Sequence, residues 1–394
     1  MNLNSFLTAQ VQKLAWYPPA EVKIPWSAIF DSLLSSSNDF KKYLCDYLQV
    51  KYCILGNSGR AVLYLLLEVL KRKNEESRDE VLVPGYTCYS VAASVAKAGL
   101  KIRVYDIDPQ TLCPDPDSLR RSASSRTLAI VHQHLFGIPT SIDGLKEIAQ
   151  HTGAHLVEDA AQGLGGTLNG RPLGTMGDFG FYSFGCGKSL PVGCGGALVG
   201  KDQNVLSGLE PKVCSRGFTQ LITAAATQVI SWPGLYWIPE MLPLGLGETI
   251  FDPNFDVAGM PLLAQKLAEK SMAILDDLNT HRRHLAKTYK EALDTDYAIP
   301  VPKGSTPVYT RFPLMSGPGL IPKELKRFGV RRMYPKAIAD EETIKPHLGN
   351  QQVSTPGAAQ IARNLITLPT HKGITENLAK EIAQKVRVAY QITR

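Results

Sequence analysis

Between Tyr52 and Val199 the chain alternates short, unbroken apolar runs with amphipathic segments, and this alternation limits the fold more than any other feature of its 394 residues. YCIL, EVLVP, KIRVYDI, TLAIVH, AHLVED, FGFYSF and GALVG read as buried strands of roughly four to eight residues. RAVLYLLLEVLKRK, SVAASVAKAG and SIDGLKEIAQHTG lie among them with helical spacing. Parallel neighbours need a crossover connection, so this order predicts an α/β fold, a mainly parallel sheet with helices on both faces. Ligands of such sheets bind beyond the carboxyl ends of the strands.

A chain of this length exceeds one hydrophobic core and should divide. Residues 1–45 read as an irregular arm, extended at Tyr17-Pro18-Pro19, followed by a helix in NDFKKYLCDYLQV. Residues 46–250 form the expected large α/β domain. Residues 251–394 begin with LLAQKLAEKSMAILDDLNTHRRHLAKTYKEAL, long enough for one linking helix, and continue into a smaller C-terminal α+β domain that finishes with ENLAKEIAQKVRVAYQ.

Apolar residues at 44% and charged residues at 20% suit an ordinary globular enzyme. The net charge of +7 comes with scattered basic pairs (Arg120-Arg121, Arg282-Arg283, Arg331-Arg332), which read as solvated surface and leave no nucleic-acid footprint. Seven cysteines show no metal-type spacing, so no metal site is expected and a reduced cytoplasmic setting suits them best. The N-terminal segment has neither the pattern of a secretory signal nor that of a lipidation site. From Gly217 to Pro239 no residue is charged, and length alone would permit a membrane span. Gln220, Thr223, Thr227, Gln228, Ser231 and the Pro233-Gly234 break favour a buried or subunit-interface helix over a membrane contact.

Four segments carry the candidate chemistry. In VEDAAQGLGG, residues 157–166, Asp159 ends a strand where the sheet edge would present it to a ligand. An aspartate there could keep a pyridine nitrogen protonated, or it could cap a helix. In GDFGFYSFGCGKSLPVGCGGALVG, residues 177–200, Lys188 sits among small residues after a strand. Desolvation would make it a nucleophile toward an aldehyde, although solvated lysines are commoner. Ser183 is a phosphate ligand or an ordinary strand-end hydroxyl. Gly56-Asn57-Ser58-Gly59 opens an apolar helix whose free amides and dipole favour a phosphate, with Ser58, Gly59 and Arg60 contributing, though a routine helix start reads the same way. Tyr86 and Tyr89 follow a strand, where either ring could stack on a flat ligand or pack in the core.

Taken in this order and at these intervals, the four segments resemble the sugar-aminotransferase group of fold-type I pyridoxal-phosphate (PLP) enzymes, the DegT/DnrJ family. The resemblance runs from about Phe40 to the C-terminus and is dense between Gly56 and Gly196. It implies that Lys188, after Ser183-Phe184, carries PLP as a Schiff base, that Asp159 pairs with the ring nitrogen, and that Gln162 lies near the phenolic oxygen. Ser58, Gly59, Arg60 and Ser183 become the implied phosphate ligands, His134-Leu135-Phe136-Gly137 a structural segment, and Leu368-Pro369-Thr370-His371 the matching ending. A homodimer is implied as well.

There are departures from the family pattern. Arg60 stands where threonine is usual, Cys88 occupies a common aromatic position, which leaves stacking to Tyr86 or Tyr89, and Cys194 replaces a glutamate. FDVAGMPLLAQKL at 255–267 lacks the asparagine and arginine of the family's G-x-N-x-R-M segment. These changes imply a divergent subgroup whose keto substrate need not be a nucleotide-linked keto sugar. The implied activity moves an amino group from an amino acid, glutamate being the expected donor, to that keto substrate, with Lys188 as both anchor and general base. Two rivals share the fold: a keto-sugar dehydratase, which in this family lacks the lysine, and a catalytically silent regulator or scaffold.

Overall fold

The computed structural model describes residues 15–21, 23–36, 38–74, 77–213, 226, 229, 231–238, 249–293, 298–350 and 354–392. Twelve strands are described. They are β1 (Tyr52–Gly56), β2 (Glu80–Pro84), β3 (Lys101–Tyr105), β4 (Thr127–Gln133), β5 (His155–Asp159), β6 (Thr167–Leu168), β7 (Arg171–Pro172), β8 (Phe179–Ser183), β9 (Gly196–Gly200), β10 (Ser305–Thr306), β11 (Arg311–Met315) and β12 (Leu365–Pro369). The seven expected strands make one sheet in the order β1-β9-β8-β5-β4-β2-β3. β3, β2, β4, β5 and β8 run parallel, whereas β9 is antiparallel to both β8 and β1. The sheet is therefore mainly parallel and mixed, as expected. Its register pairs Ser183 with Gly196, so the loop bearing Lys188 turns back at the carboxyl end of β8.

Alternate residues of each strand enter different cores, which is why the strands read as continuous apolar runs. On one face Val81, Val83, Val131 and Val157 meet Val62, Leu66 and Leu70 of α3 (Gly59–Arg72) and Val91 and Val95 of α4 (Tyr89–Lys97). On the other, Leu82, Ile130, Leu156 and Tyr182 meet Ile29 of α1 (Trp26–Leu34) and Phe40 and Leu44 of α2 (Phe40–Leu48). The short α5 (Pro116–Ser122) adds Leu119 to this second core, and α6 (Asp143–Thr152) adds Leu145 and Ala149.

The expected single linking helix is two, α7 (Leu262–Met272) and α8 (Leu275–Leu293), with a break at Ala273-Ile274. The break lets the segment serve two cores: Leu267, Met272 and Leu275 belong to the second core, Leu285, Tyr289 and Leu293 to a third. That third core joins α8 to the antiparallel pair β11–β12 and to α10 (Glu376–Ala389); α9 (Pro356–Asn364) leads into β12. No helix among the described residues is long and apolar enough to cross a membrane. Of the uncharged stretch 217–239, only residues 226, 229 and 231–238 are described, and the rest of that expected helix lies outside them.

Two buried side chains fasten the parts together. Arg282, read from sequence as half of a solvated pair, is 1% exposed on the apolar stripe of α8. Its guanidinium donates to the Ser189 carbonyl at 2.8 Å, to Asn279 Oδ1 at 2.7 Å and to the Lys188 carbonyl at 3.4 Å. Asn279 in turn donates to the Leu164 carbonyl at 3.1 Å. His371 ties the C-terminal part to the N-terminal arm: Nε2 lies 2.8 Å from the Pro18 carbonyl, and Gly373 N–H donates to Nδ1 at 3.1 Å. These partners use the neutral ring, with one nitrogen donating and the other accepting.

Arg282→Leu removes the donor from two buried acceptors and should cost about 2–5 kcal/mol of stability. Urea denaturation would show this as a lower midpoint; an unchanged midpoint contradicts the stapling role. Burial holds the His371 pKa down to about 4 against an ordinary 6.5. A depressed folded-state pKa stabilises the protein above pH 6.5, and that contribution fades as pH falls toward 4, by on the order of 3 kcal/mol. The stability of His371→Gln should accordingly fall less steeply between pH 6.5 and 4.5 than that of the parent. Parallel curves would show that His371 does not set this dependence.

Candidate active site

A cleft of about 700 Å³, counting its solvent-filled mouth, opens where β4, β5 and β8 end and α3 begins. One end is built from the turn before α3. Ser58 is extended, at φ −165°, and its Oγ accepts from the Ala61 amide at 3.2 Å as the helix cap. A Cβ on Gly59 would stand 3.0 Å from Ser183 Cβ and 3.3 Å from the Tyr182 carbonyl, so any side chain there would crowd β8. Asn57 fastens this turn, accepting from the Gly195 amide at 2.9 Å and donating its own amide to the Ala258 carbonyl at 2.8 Å. Arg60, also on the wall, stacks on Phe255 with its guanidinium carbon 4.8 Å from the ring centre.

The other end carries the titratable groups. Asp159 and Lys188 both line the cleft. Burial raises the Asp159 pKa, opposed by the Ala161 amide, which donates to Oδ1 at 3.0 Å, and by the positive charge of Lys188. The two side chains are thus within electrostatic reach of each other. Lys188 is set by the backbone on either side of it: its amide donates to the Gly185 carbonyl, and Arg282 holds the carbonyls of Lys188 and Ser189. Ser189 Oγ donates to the Gln162 carbonyl at 2.9 Å. Gln162 Oε1 accepts from the Phe136 amide at 2.6 Å, and its Nε2 has no acceptor among the described residues. That leaves a donor on the cleft wall.

Behind Asp159 lies a closed polar network. Glu158 is fully buried and accepts from Met176 N–H at 2.5 Å, Gly177 N–H at 2.6 Å, Gly174 N–H at 3.1 Å and His134 Nε2 at 2.9 Å. Burial alone would raise its pKa, but His134 and the amides outweigh it and hold Glu158 below the usual carboxylate range. His134 lines the cleft, and its amide donates to the Asp159 carbonyl at 3.0 Å. The expected structural role of the His134–Gly137 segment therefore lies against the site itself.

The structure brings Ser58, Gly59, Arg60, Asp159, Gln162, Ser183 and Lys188 to one cleft. It does not bring Tyr86 or Tyr89 there. Both rings are buried: the Tyr89 hydroxyl donates to the Lys336 carbonyl at 3.0 Å, and the Tyr86 ring packs on Tyr334 at 5.1 Å between centres. Cys88 between them faces the cleft, and the aromatic rings on its wall are Phe181 and Tyr334. Sequence reasoning missed Tyr334, Arg282 and the Glu158 network. Arg282 left a signal, since it falls on the stripe Leu275, Leu278, Arg282, Leu285, Tyr289, where a surface residue would be out of phase. Tyr334 left none, because it enters from a part of the chain with no strand-end motif.

Residues 28–221 match the model of the DegT/DnrJ/EryC1/StrS aminotransferase family. Among curated proteins the chain is 36% identical over 168 residues to L-glutamine:2-deoxy-scyllo-inosose aminotransferase of Streptomyces kanamyceticus, a match covering 43% of this chain and 39% of that protein. The chain thus spans about two-fifths of the length of the curated relatives it matches. Among solved structures it shares its fold with DesI, determined in the presence of its TDP-sugar product, at a TM-score of 0.73 and 20% identity over 96% of this chain and 93% of that one. Spr1654 of Streptococcus pneumoniae, solved in its PLP form, gives the same TM-score and identity over 95% and 98%. Residues 28–221, just under half of the chain, thus match the DegT/DnrJ/EryC1/StrS aminotransferase family, and the expected strands, loop and helix start all stand around one cleft.

Proposed function

We propose that the protein is a PLP-dependent aminotransferase that moves an amino group from glutamate or glutamine to a cyclic ketone, a keto sugar or a keto polyol. The observation that carries this reading is the cleft itself. An amine, Lys188, and a buried carboxylate, Asp159, lie within electrostatic reach of each other, and the open start of α3 with Ser183 forms a second pole. The residues fit the cofactor: Gly59 leaves little room for a side chain beside β8, the raised pKa of Asp159 marks a carboxylate lacking a full counter-charge, and Gln162 Nε2 is a donor without an acceptor among the described residues.

Ser58, Gly59, Arg60 and Ser183 would hold the phosphate, through helix-start amides, hydroxyls and one guanidinium. Asp159 would keep a proton on the ring nitrogen, and Gln162 would donate toward the phenolic oxygen. When bound, PLP supplies an aldehyde that condenses with amines and a ring that accepts electrons. Lys188 would be the amine that holds the cofactor between turnovers. Once displaced by the donor, its Nζ carries the proton taken from the donor's α-carbon. Arg282 and Ser189 keep that lysine's backbone fixed, so the proton travels a set distance.

The names of the relatives, an inosose aminotransferase and a TDP-sugar enzyme, support a ring ketone as acceptor. The family relationship supports a homodimer, and the cysteine content supports a cytoplasmic setting. The dehydratase reading is disfavoured by the presence of Lys188 in the cleft. A silent scaffold would need no amino donor.

Purified protein should be yellow, and glutamate or glutamine should bleach it; colour that no amino acid changes would favour the scaffold. Asp159→Asn should lower kcat on the order of 10²- to 10⁴-fold, corresponding to about 3–5 kcal/mol for a desolvated charge pair. Steady-state kinetics with 2-deoxy-scyllo-inosose as acceptor would measure it, and a kcat within threefold of the parent contradicts the role given to Asp159.

A further inference from the structure

We infer that a second cleft, at the opposite end of the large sheet from Lys188, is a binding site for a small phosphorylated molecule. It measures about 1010 Å³, counting its solvent-filled mouth, against about 700 Å³ for the first. The register of the sheet sets Tyr52, Gly200 and Phe179 side by side, and all three line it. Phe179 opens β8, whereas Ser183, which ends that strand, lines the first cleft. Four steps along an extended strand separate the two, about 13 Å. The clefts are therefore distinct.

The wall is assembled from the link between α2 and β1, from the β6–β7 hairpin with the 174–177 turn, and from the exit of β9. Each part contributes one cation: Lys51, Arg171 and Lys201. One acid lines the same wall, Asp178, and its Oδ2 accepts from the Leu156 amide at 2.8 Å. The cations make only long contacts of their own, Arg171 to the Thr175 carbonyl and Lys201 to the Met176 carbonyl, both at 3.3 Å. Among the described residues none of the three has a carboxylate partner, and Lys51 has no hydrogen bond. By contrast, Lys101 and Arg126 gather around Asp79, which pairs with both.

Three like charges around one hollow repel one another, and a multiply charged anion relieves that repulsion. A lone carboxylate brings one charge to a wall with two in excess, three cations less one acid. Phosphate oxygens suit the set better, because Arg171 offers a planar fork and the lysines offer point charges. The hollow also exceeds what a phosphate ion fills, and the partly buried Val50, Tyr52 and Pro172 give it a side for a carbon skeleton. The wall is preformed: three amides of the 174–177 turn donate to Glu158 behind it, and the Lys201 amide donates to the Asp178 carbonyl at 3.1 Å. A ligand arriving there orders little of the protein.

Calorimetric titration of the PLP-saturated protein, whose first cleft is then filled, tests the site with fructose 1,6-bisphosphate, inorganic phosphate and fructose as probes. The bisphosphate should bind, inorganic phosphate should bind at least severalfold more weakly, and fructose should give no heat. Bisphosphate affinity should fall about 10- to 100-fold in K51Q/R171Q/K201Q, as for loss of charged hydrogen bonds. It should fall severalfold in R171Q alone, and severalfold again in the parent as ionic strength rises from about 0.02 M to about 0.2 M. Because the three side chains are exposed, the triple variant should keep the parent's melting temperature without probe. R60Q, altered at the first cleft, should bind the bisphosphate as the parent does. No heat from the parent at about 1 mM bisphosphate, a millimolar limit on any useful site, overturns the inference. So does an affinity that the triple variant retains, or one that only R60Q loses, which would put the anion in the first cleft. Inorganic phosphate binding as tightly as the bisphosphate overturns the organic ligand.

Discussion

Glu158 is a fully buried carboxylate at the end of β5, and four donors converge on it: three amides of the 174–177 turn and His134 from the exit of β4. A buried carboxylate left short of partners is expensive, so this arrangement has one satisfied geometry. It locks the ends of two neighbouring strands to a turn, and Asp159, the next residue, inherits that rigidity. Its side chain is thereby committed to the cleft, where burial raises its pKa and where the positive charge of Lys188 is felt. Arg282 supplies a similar lock for the lysine from the far side, by holding the carbonyls of Lys188 and Ser189 from α8. The two groups on which the proposed chemistry depends sit on different connections, and each is fixed by a buried charge whose partners are mostly backbone atoms.

Most of the large sheet was legible because its strands are buried on both faces, which leaves a sequence of apolar runs with helices between them. Val81 and Leu82 go to opposite cores, yet both had to be apolar, and the strand showed for that reason. The linking segment was harder. LLAQKLAEKSMAILDDLNTHRR keeps helical spacing through Ala273-Ile274, and only the need to face two different cores breaks it there. Cleft residues at strand ends and helix starts were readable as motifs, since Ser58, Asp159 and Lys188 each follow a recognisable local pattern. A residue that arrives from far along the chain, such as Tyr334, carries no local pattern. Tyr86 and Tyr89 were placed at the cleft by their position after β2, but the turn into α4 aims Cys88 there and turns both rings toward Tyr334 and Lys336.

Two departures from the family pattern meet in space. Arg60 stands in the turn where a threonine is usual, and Phe255 opens the segment that lacks the family's asparagine and arginine. In this protein the ring of Phe255 supports the guanidinium of Arg60. Such a contact is worth about 0.5–2 kcal/mol and, more to the point, fixes where the cation lies. The chain thus places its own positive charge beside the open start of α3, from a pair of residues that neither departure alone would have suggested. Lys97 stacks on the same ring, with its amine 4.9 Å from the centre, so the cationic character of this pole is shared by two side chains.

The account stands on one bond between the amine at position 188 and the aldehyde of PLP. Reducing the yellow protein with borohydride, digesting it and weighing the peptides measures that bond directly. The cofactor's mass should appear on the peptide containing Lys188 and disappear from Lys188→Ala. Its appearance on a peptide carrying another lysine would contradict the account.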